Sequence, residues 1–176
     1  MDEMKSVNLG EVMNTIRGSG RPNTVLWQAP DSIAFVARGR EFRSEFHSDP
    51  SDEVMYMIRG DMNLHYRTPE GDEKIVVVRE GEIVHCPAGT PHSPRFSPDA
   101  FVLVLERKRR ADESDRFTWF CEKCGAQLHQ SVKQSPTIVR TRSRAPTKSS
   151  TTPRKTARAA AVATSHQGHP ENPDVI

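Results

Sequence analysis

The stretch Gly81-Glu82-Ile83-Val84-His85-Cys86-Pro87-Ala88-Gly89-Thr90-Pro91-His92 decides how this chain folds. A short apolar piece is followed by Pro87, Gly89 and Pro91, which set tight turns, and the run ends on a histidine. An earlier stretch is punctuated in the same way, with Gly39 and Gly60 bracketing Glu45, His47 and Glu53. Around these two stretches lie short β-rich runs at residues 33–37, 42–47, 54–58, 62–66, 75–78, 83–84 and 101–105. Turn residues separate them at 59–61, 68–72, 80–82, 87–89 and 97–99. Many short strands with no helix between them predict an all-β sandwich or barrel. A jelly roll fits best, because both punctuated stretches then turn their polar residues into one cavity. Ahead of the strands, Val7, Leu9, Val12, Met13 and Ile16 repeat at helical spacing, with Gly18 and Gly20 behind them as a stop. This predicts a short amphipathic N-terminal helix on the outside of the barrel.

The chain has 176 residues, enough for one core-bearing domain with extensions. Charge is unevenly spread. The first 132 residues hold 17 Lys and Arg against 21 Asp and Glu, and the remaining 44 hold 8 against 2. The net charge of +2 therefore describes a basic tail and not the folded part, which gives no reason to expect nucleic acid as a partner. Residues 143–163 are nearly free of large apolar side chains and read as disordered. The predicted organisation is a folded domain over 1–130 and a low-complexity basic tail over 131–176. No apolar run is long enough to span a membrane. The N-terminus shows no secretory pattern, and three cysteines make no disulfide framework. A cytoplasmic protein is expected.

His47, Glu53 and His92 are the candidate metal ligands. Two neutral imidazoles and a carboxylate on one face of an ion leave the opposite face open, which suits a non-haem Fe(II) that must bind substrate and O₂ together. His65 and His85 read as ordinary strand histidines, His85 near the barrel lining. The pattern Gly81-x5-Pro87-x-Gly89-x2-His92 resembles the second cupin motif. Gly39-x5-Glu45-x-His47-x5-Glu53-x6-Gly60 resembles a variant of the first, with glutamate at 45 where many cupins have another histidine. The resemblance implies a cupin-type jelly-roll barrel with three protein ligands.

Between Pro22 and Gln130 the chain further resembles the 3-hydroxyanthranilate 3,4-dioxygenases. The resemblance is carried by Pro22-Asn23, Trp27-Gln28, Arg43-x3-His47-x5-Glu53, Tyr56, Arg59-Gly60, Gly81-Glu82-Ile83, His92-Ser93-Pro94, Leu105-Glu106-Arg107 and Phe117-x-Trp119-x-Cys121. It implies that His47, Glu53 and His92 hold a catalytic Fe(II), and that Arg43, Arg95 and Glu106 act on the substrate while Asn23 and Pro94 line its pocket. It further implies an aromatic substrate and O₂, extradiol cleavage to an aminocarboxymuconate semialdehyde that closes to quinolinate, and a homodimer. Arginine suits the substrate carboxylate because its planar fork of donors stays charged when buried.

Two departures matter. Family members place the substrate arginine four residues after the ligand histidine, whereas Arg95 stands three after His92. On a strand, a one-residue slip turns a side chain to the other face. Either the loop is shortened and Arg95 still reaches inward, or the clamp is altered. A related aminohydroxybenzoate is then an alternative substrate, and a metal-binding cupin that senses or isomerises a small molecule is an alternative of another class. The second departure is at Cys121-x-x-Cys124, half of a thiolate site for a second Fe or Zn. No second such pair follows, and His166 and His169 are the remaining candidates to complete it.

Overall fold

Strands that alternate in polarity bury one face each, and two such sheets laid face to face share one core. The computed structural model describes residues 3–134 and contains one helix, α1 (Leu9–Ser19), and eleven strands. These are β1 (Asn23–Gln28), β2 (Ile33–Arg38), β3 (Phe46–Ser48), β4 (Glu53–Arg59), β5 (Met62–Arg67), β6 (Glu73–Val78), β7 (Ile83–Cys86), β8 (His92–Phe96), β9 (Phe101–Glu106), β10 (Asp115–Phe120) and β11 (Gln127–Lys133). One sheet has the order β1-β2-β9-β4-β7 and the other β11-β10-β3-β8-β5-β6, with antiparallel pairing throughout. This is the predicted all-β jelly-roll barrel with a short N-terminal helix. Among the described residues, no helix is long and apolar enough to cross a membrane.

The core lies between the sheets. Met55 and Met57 of β4, Val102 and Val104 of β9, and Met62 and Leu64 of β5 are buried together. Along β4 the inward positions are Glu53, Met55 and Met57, so an apolar stripe ends in a carboxylate at one end of the barrel. Helix α1 begins at Asn8, whose side-chain oxygen accepts from Gly10 N and Glu11 N. It ends at Gly20, at φ 64°, whose N–H donates to Ile16 O. Ile16 is fully buried and packs with Val36 and Phe101, which fixes the helix to the barrel.

The strands differ from the expected runs, and β1 was not among them. The run 42–47 was expected as a strand, but only Phe46–Ser48 enters the ladder. Arg43 and Glu45 pair with each other at 3.0 Å, and Ser93 Oγ donates to Arg43 O, so this segment is held by side chains. Strand β8 follows Pro91 and contains Pro94, which masked it. Strand β10 runs from Asp115 to Phe120, and its alternation of Phe117 and Trp119 with Arg116 and Thr118 was not among the expected runs. Strand β11 carries the chain past the predicted boundary at 130/131 as far as Lys133. It is an almost wholly exposed edge strand, so composition could not separate it from the tail. The expectations for the rest of the tail, including His166 and His169, fall outside the described residues.

Gly39 bridges the segment before β3 and the end of β8. A Cβ there would lie 2.3 Å from Phe96 Cγ and 2.5 Å from Phe96 Cβ, atoms that cannot swing away. Gly39→Ala is expected to lose about 1–3 kcal/mol of stability by overpacking, measured by urea unfolding. The double variant with Phe96→Ala should lose less than the sum of the two single changes, because the ring contacts are gone and only the contact with Cβ remains.

Candidate metal centre and cavity

Register brings the candidate ligands together from opposite sheets. His47 of β3 is the cross-strand partner of His92 of β8, and Glu53 of β4 is the partner of Glu106 of β9. His47, Glu53 and His92 are all buried, and each offers one ligand atom within 4.8 Å of the others. His92 Nδ1 lies 3.0 Å from Thr90 O and 3.4 Å from Cys86 Sγ. A carbonyl only accepts, so Nδ1 carries the proton and Nε2 is left with the lone pair in the neutral ring.

That lone pair faces Glu53 Oε2 at 2.9 Å. The separation is short, yet Oε2 is a buried oxygen with no hydrogen-bond partner, so the approach is not aligned as a hydrogen bond. Two acceptors facing each other at this distance need a cation between or beside them. A proton on His92 or a metal ion would serve. Burial opposes the charge on Glu53, but His92, His47 and Arg109 overcome it and hold its carboxyl at about 2. Burial likewise opposes a charged His92, and the Glu53 carboxylate outweighs it, raising the imidazole well above its ordinary range. The donor set therefore fits a metal ion.

His47 Nε2 is 2.9 Å from Asp115 Oδ1, and its ring stacks on Phe117 at 4.8 Å and 10°. The carboxylate and the aromatic plane together fix the ring orientation. Arg109 lies beside this pair, its Nη2 2.8 Å from Asp115 Oδ1 and 2.5 Å from Asp49 Oδ2, with Nη1 3.2 Å from Glu106 Oε2. Burial opposes the guanidinium charge, and the surrounding carboxyl groups more than restore it. Burial and the Glu53 charge push the Glu106 carboxyl up to about 9, against the pull of Arg109, and Asp49 is raised as well. Glu106 thus tends to hold its proton near neutral pH. Two other acidic groupings, His47-Asp49-Asp115 and Asp49-Glu53-Glu106, also have ligand-like spacing. Arg109 contacts both, so a cation at either would meet a guanidinium.

Above the triad opens a cavity of about 690 Å³. Its inner wall is His47, Glu53, His92, Glu106, Arg109 and Phe117, and Met55, Val102 and Val104 make its sides apolar. Arg21, Arg38, Arg40 and Arg43 also line it.

A family model described as 3-hydroxyanthranilic acid dioxygenase matches residues 1–143. The chain belongs to that family. A relative from Bacillus cereus (strain ATCC 10987 / NRS 248), named 3-hydroxyanthranilate 3,4-dioxygenase, is 41% identical over 108 residues, covering 61% of this chain and 60% of that protein. Relatives of the same name from Burkholderia lata and Shewanella woodyi are each 36% identical, covering 66% and 67% of this chain and 67% and 62% of theirs. The chain thus spans about 60% of the length of the Bacillus cereus relative. Among solved structures, a cupin-2 domain containing protein from Shewanella frigidimarina matches with a TM-score of 0.47 at 15% identity, over 58% of this chain and 94% of that one. Protein NMB1881 from Neisseria meningitidis matches with a TM-score of 0.46 at 17% identity, over 58% and 99%.

Within this 3-hydroxyanthranilic acid dioxygenase family member, the cavity gathers most of the residues singled out from sequence. Asn23, Arg43, Pro94 and Glu106 line it beside the triad. Arg95 does not. Pro94 and Phe96 take the inward positions of β8, and Arg95 lies on the other face with its guanidinium 5.4 Å from the Phe42 ring centre. The slip of one residue turned it away, so its predicted contact with substrate is withdrawn. Cys121 and Cys124 are free thiols at the turn after β10 and line no part of the cavity. Among the described residues, neither belongs to a group with three ligand-type atoms in reach. His65 pairs with Glu73 at 2.8 Å, an ordinary strand contact, and His85 is an exposed residue near Asp52.

Sequence reading missed Asp49, Arg109 and Asp115. Arg109 sits in Arg107-Lys108-Arg109-Arg110 and Asp115 ends Asp112-Glu113-Ser114-Asp115, both of which look like solvated turns. Only the fold turns one residue of each run inward. Arg109→Met is expected to cost about 3–5 kcal/mol in urea unfolding, since it strips the counter-charge from buried carboxyl groups. Adding Asp49→Asn should recover part of that loss.

Proposed function

We propose that this chain is an Fe(II)-dependent ring-cleaving dioxygenase that converts 3-hydroxyanthranilate and O₂ to 2-amino-3-carboxymuconate semialdehyde. The observation that carries this reading is the close pair His92 Nε2 and Glu53 Oε2 at 2.9 Å, which needs a cation, beneath a cavity with apolar sides and guanidinium groups. The family's name supplies the substrate class. His47, Glu53 and His92 would hold the iron, His92 through Nε2. Ferrous iron in this position supplies the redox chemistry that joins triplet O₂ to a closed-shell aromatic ring. Both oxygen atoms enter the product, so no external reductant is needed.

The protein's own residues bind, orient and keep water out. Arg43 is almost buried, with Nε on Glu45, and presents a guanidinium to a ring carboxylate. Met55, Val102, Val104 and Phe117 give the ring apolar walls. The raised Glu106 carboxyl is neutral on the inner wall, able to donate to a hydroxyl or amino group of the substrate. A second reading, cleavage of an aminohydroxybenzoate with its carboxylate elsewhere on the ring, draws on the outward position of Arg95. A cytoplasmic homodimer belongs to the same proposal.

The test is aerobic mixing of the iron-loaded protein with 3-hydroxyanthranilate and with its positional isomers, following absorbance of the semialdehyde and its decay as quinolinate forms. Turnover of an isomer alone would replace the substrate. His47→Ala, Glu53→Ala and His92→Ala are expected to lose stoichiometric iron and activity, and His65→Ala to keep both, by metal analysis of the purified variants. An active, iron-replete His92→Ala would sink the assignment.

The tail takes no part in this reaction in our reading. A chain ending at Gln134, just past β11, is expected to bind one iron and turn over as the full chain does. Loss of iron on that truncation would make the tail part of the enzyme.

A further inference from the structure

The inward slot at the end of β8 is filled by Phe96, an apolar ring, where a second cationic group would be expected beside Arg43. The neighbouring segment is docked onto that slot. Gly39 N donates to Ala100 O at 2.8 Å, Phe96 N donates to Arg40 O at 3.1 Å, and Gly39 has no room for a Cβ against Phe96. The backbone of Arg40 is therefore locked next to the slot, and the residue is part of the cavity lining.

The charges around it are unbalanced. Arg43 Nε is 3.0 Å from Glu45 Oε1, and Arg40 Nη2 is 3.9 Å from the same oxygen. A single carboxylate between two guanidinium groups leaves the cluster net positive. Arg43 is held in place with its side chain 13% exposed, whereas Arg40 is 53% exposed and at the outer limit of an ion pair, so it has freedom to turn. Arg38 differs, since its Nη2 is 3.4 Å from Asp99, which also holds Arg17 at 2.8 Å.

We propose that Arg40 is a specificity-determining residue that binds the substrate carboxylate together with Arg43, in the role that Arg95 does not fill. The proposal rests on the ring-cleavage reading above for the identity of the substrate. Two guanidinium groups on a net positive wall favour an anionic ring substituent over a neutral one, and their planar forks match a carboxylate.

The test uses the full iron-loaded chain, with 3-hydroxyanthranilate and its carboxylate-free analogue 2-aminophenol. Anaerobic calorimetry gives binding of each compound, and aerobic assays give kcat and KM. Arg40→Ala is expected to weaken 3-hydroxyanthranilate binding and raise its KM about ten-fold or more. The preference in kcat/KM for 3-hydroxyanthranilate over 2-aminophenol should fall by a similar factor. Arg40→Lys should recover part of the loss, Arg38→Ala should show a smaller one, and Arg95→Ala should match the wild type. The clamp is overturned if Arg40→Ala binds like wild type, if it weakens both compounds equally, or if Arg38→Ala or Arg95→Ala carries the larger loss. Wild-type protein that binds 3-hydroxyanthranilate through Arg40 without opening the ring would remove the reaction and leave the clamp. Ring opening indifferent to Arg40 would do the reverse, and no binding by wild type would overturn both.

Discussion

Buried negative charge is the constraint on which the inner end of this barrel depends. Asp49, Glu53 and Asp115 are buried residues, and the Glu106 side chain is nearly so. Taking a carboxylate out of water costs several kcal/mol unless it is paired. The proton held by Glu106 removes one charge, and Arg109 offsets another. With both histidines neutral, the group is left about two charges negative. A divalent cation beside Glu53 would cancel that remainder. The same balance explains why Arg109 is where it is: it covers the two alternative acidic groupings and leaves the corner formed by His47, Glu53 and His92 uncovered.

The legible part of the fold was the part written in turn chemistry and side-chain alternation. The glycines and prolines around His47, Glu53 and His92, and the alternation of β4, β5 and β9, announce a barrel with polar residues at one end. What could not be read was structure made by partners distant in sequence. Strand β8 contains a proline and is recognisable only once β3 and β5 lie on either side of it. Strand β11 has little buried surface of its own and exists because β10 offers it an edge. Arg109 and Asp115 sit in charged turns whose neighbours are solvated, so no local pattern marks them as interior.

Arg95 shows where a motif and a register disagree. The residue type is the expected one, and it lies one position short of the expected spacing. Because side chains alternate along a strand, one position means the opposite face of the sheet. Phe96 then turns inward, and the chain accommodates its ring by having no side chain at Gly39. The altered slot lies against Gly39, and the hydrogen bond from Phe96 N to Arg40 O holds the backbone of Arg40 beside it.

This division of labour follows from where the residues are anchored. The three ligand-type side chains sit on strands of both sheets and are fixed by cross-strand register, so displacing any of them would disturb the ladders that hold the barrel closed. The arginines between Gly39 and Glu45 sit on an irregular segment tied down by a few hydrogen bonds and one tight glycine contact. Substitution there alters charge at the cavity without touching a ladder. Binding residues on such segments can vary over a rigid scaffold. In this chain the geometry that would hold a metal therefore belongs to the sheets, and the proposed selection of an anionic substrate would belong to the segment leading into β3.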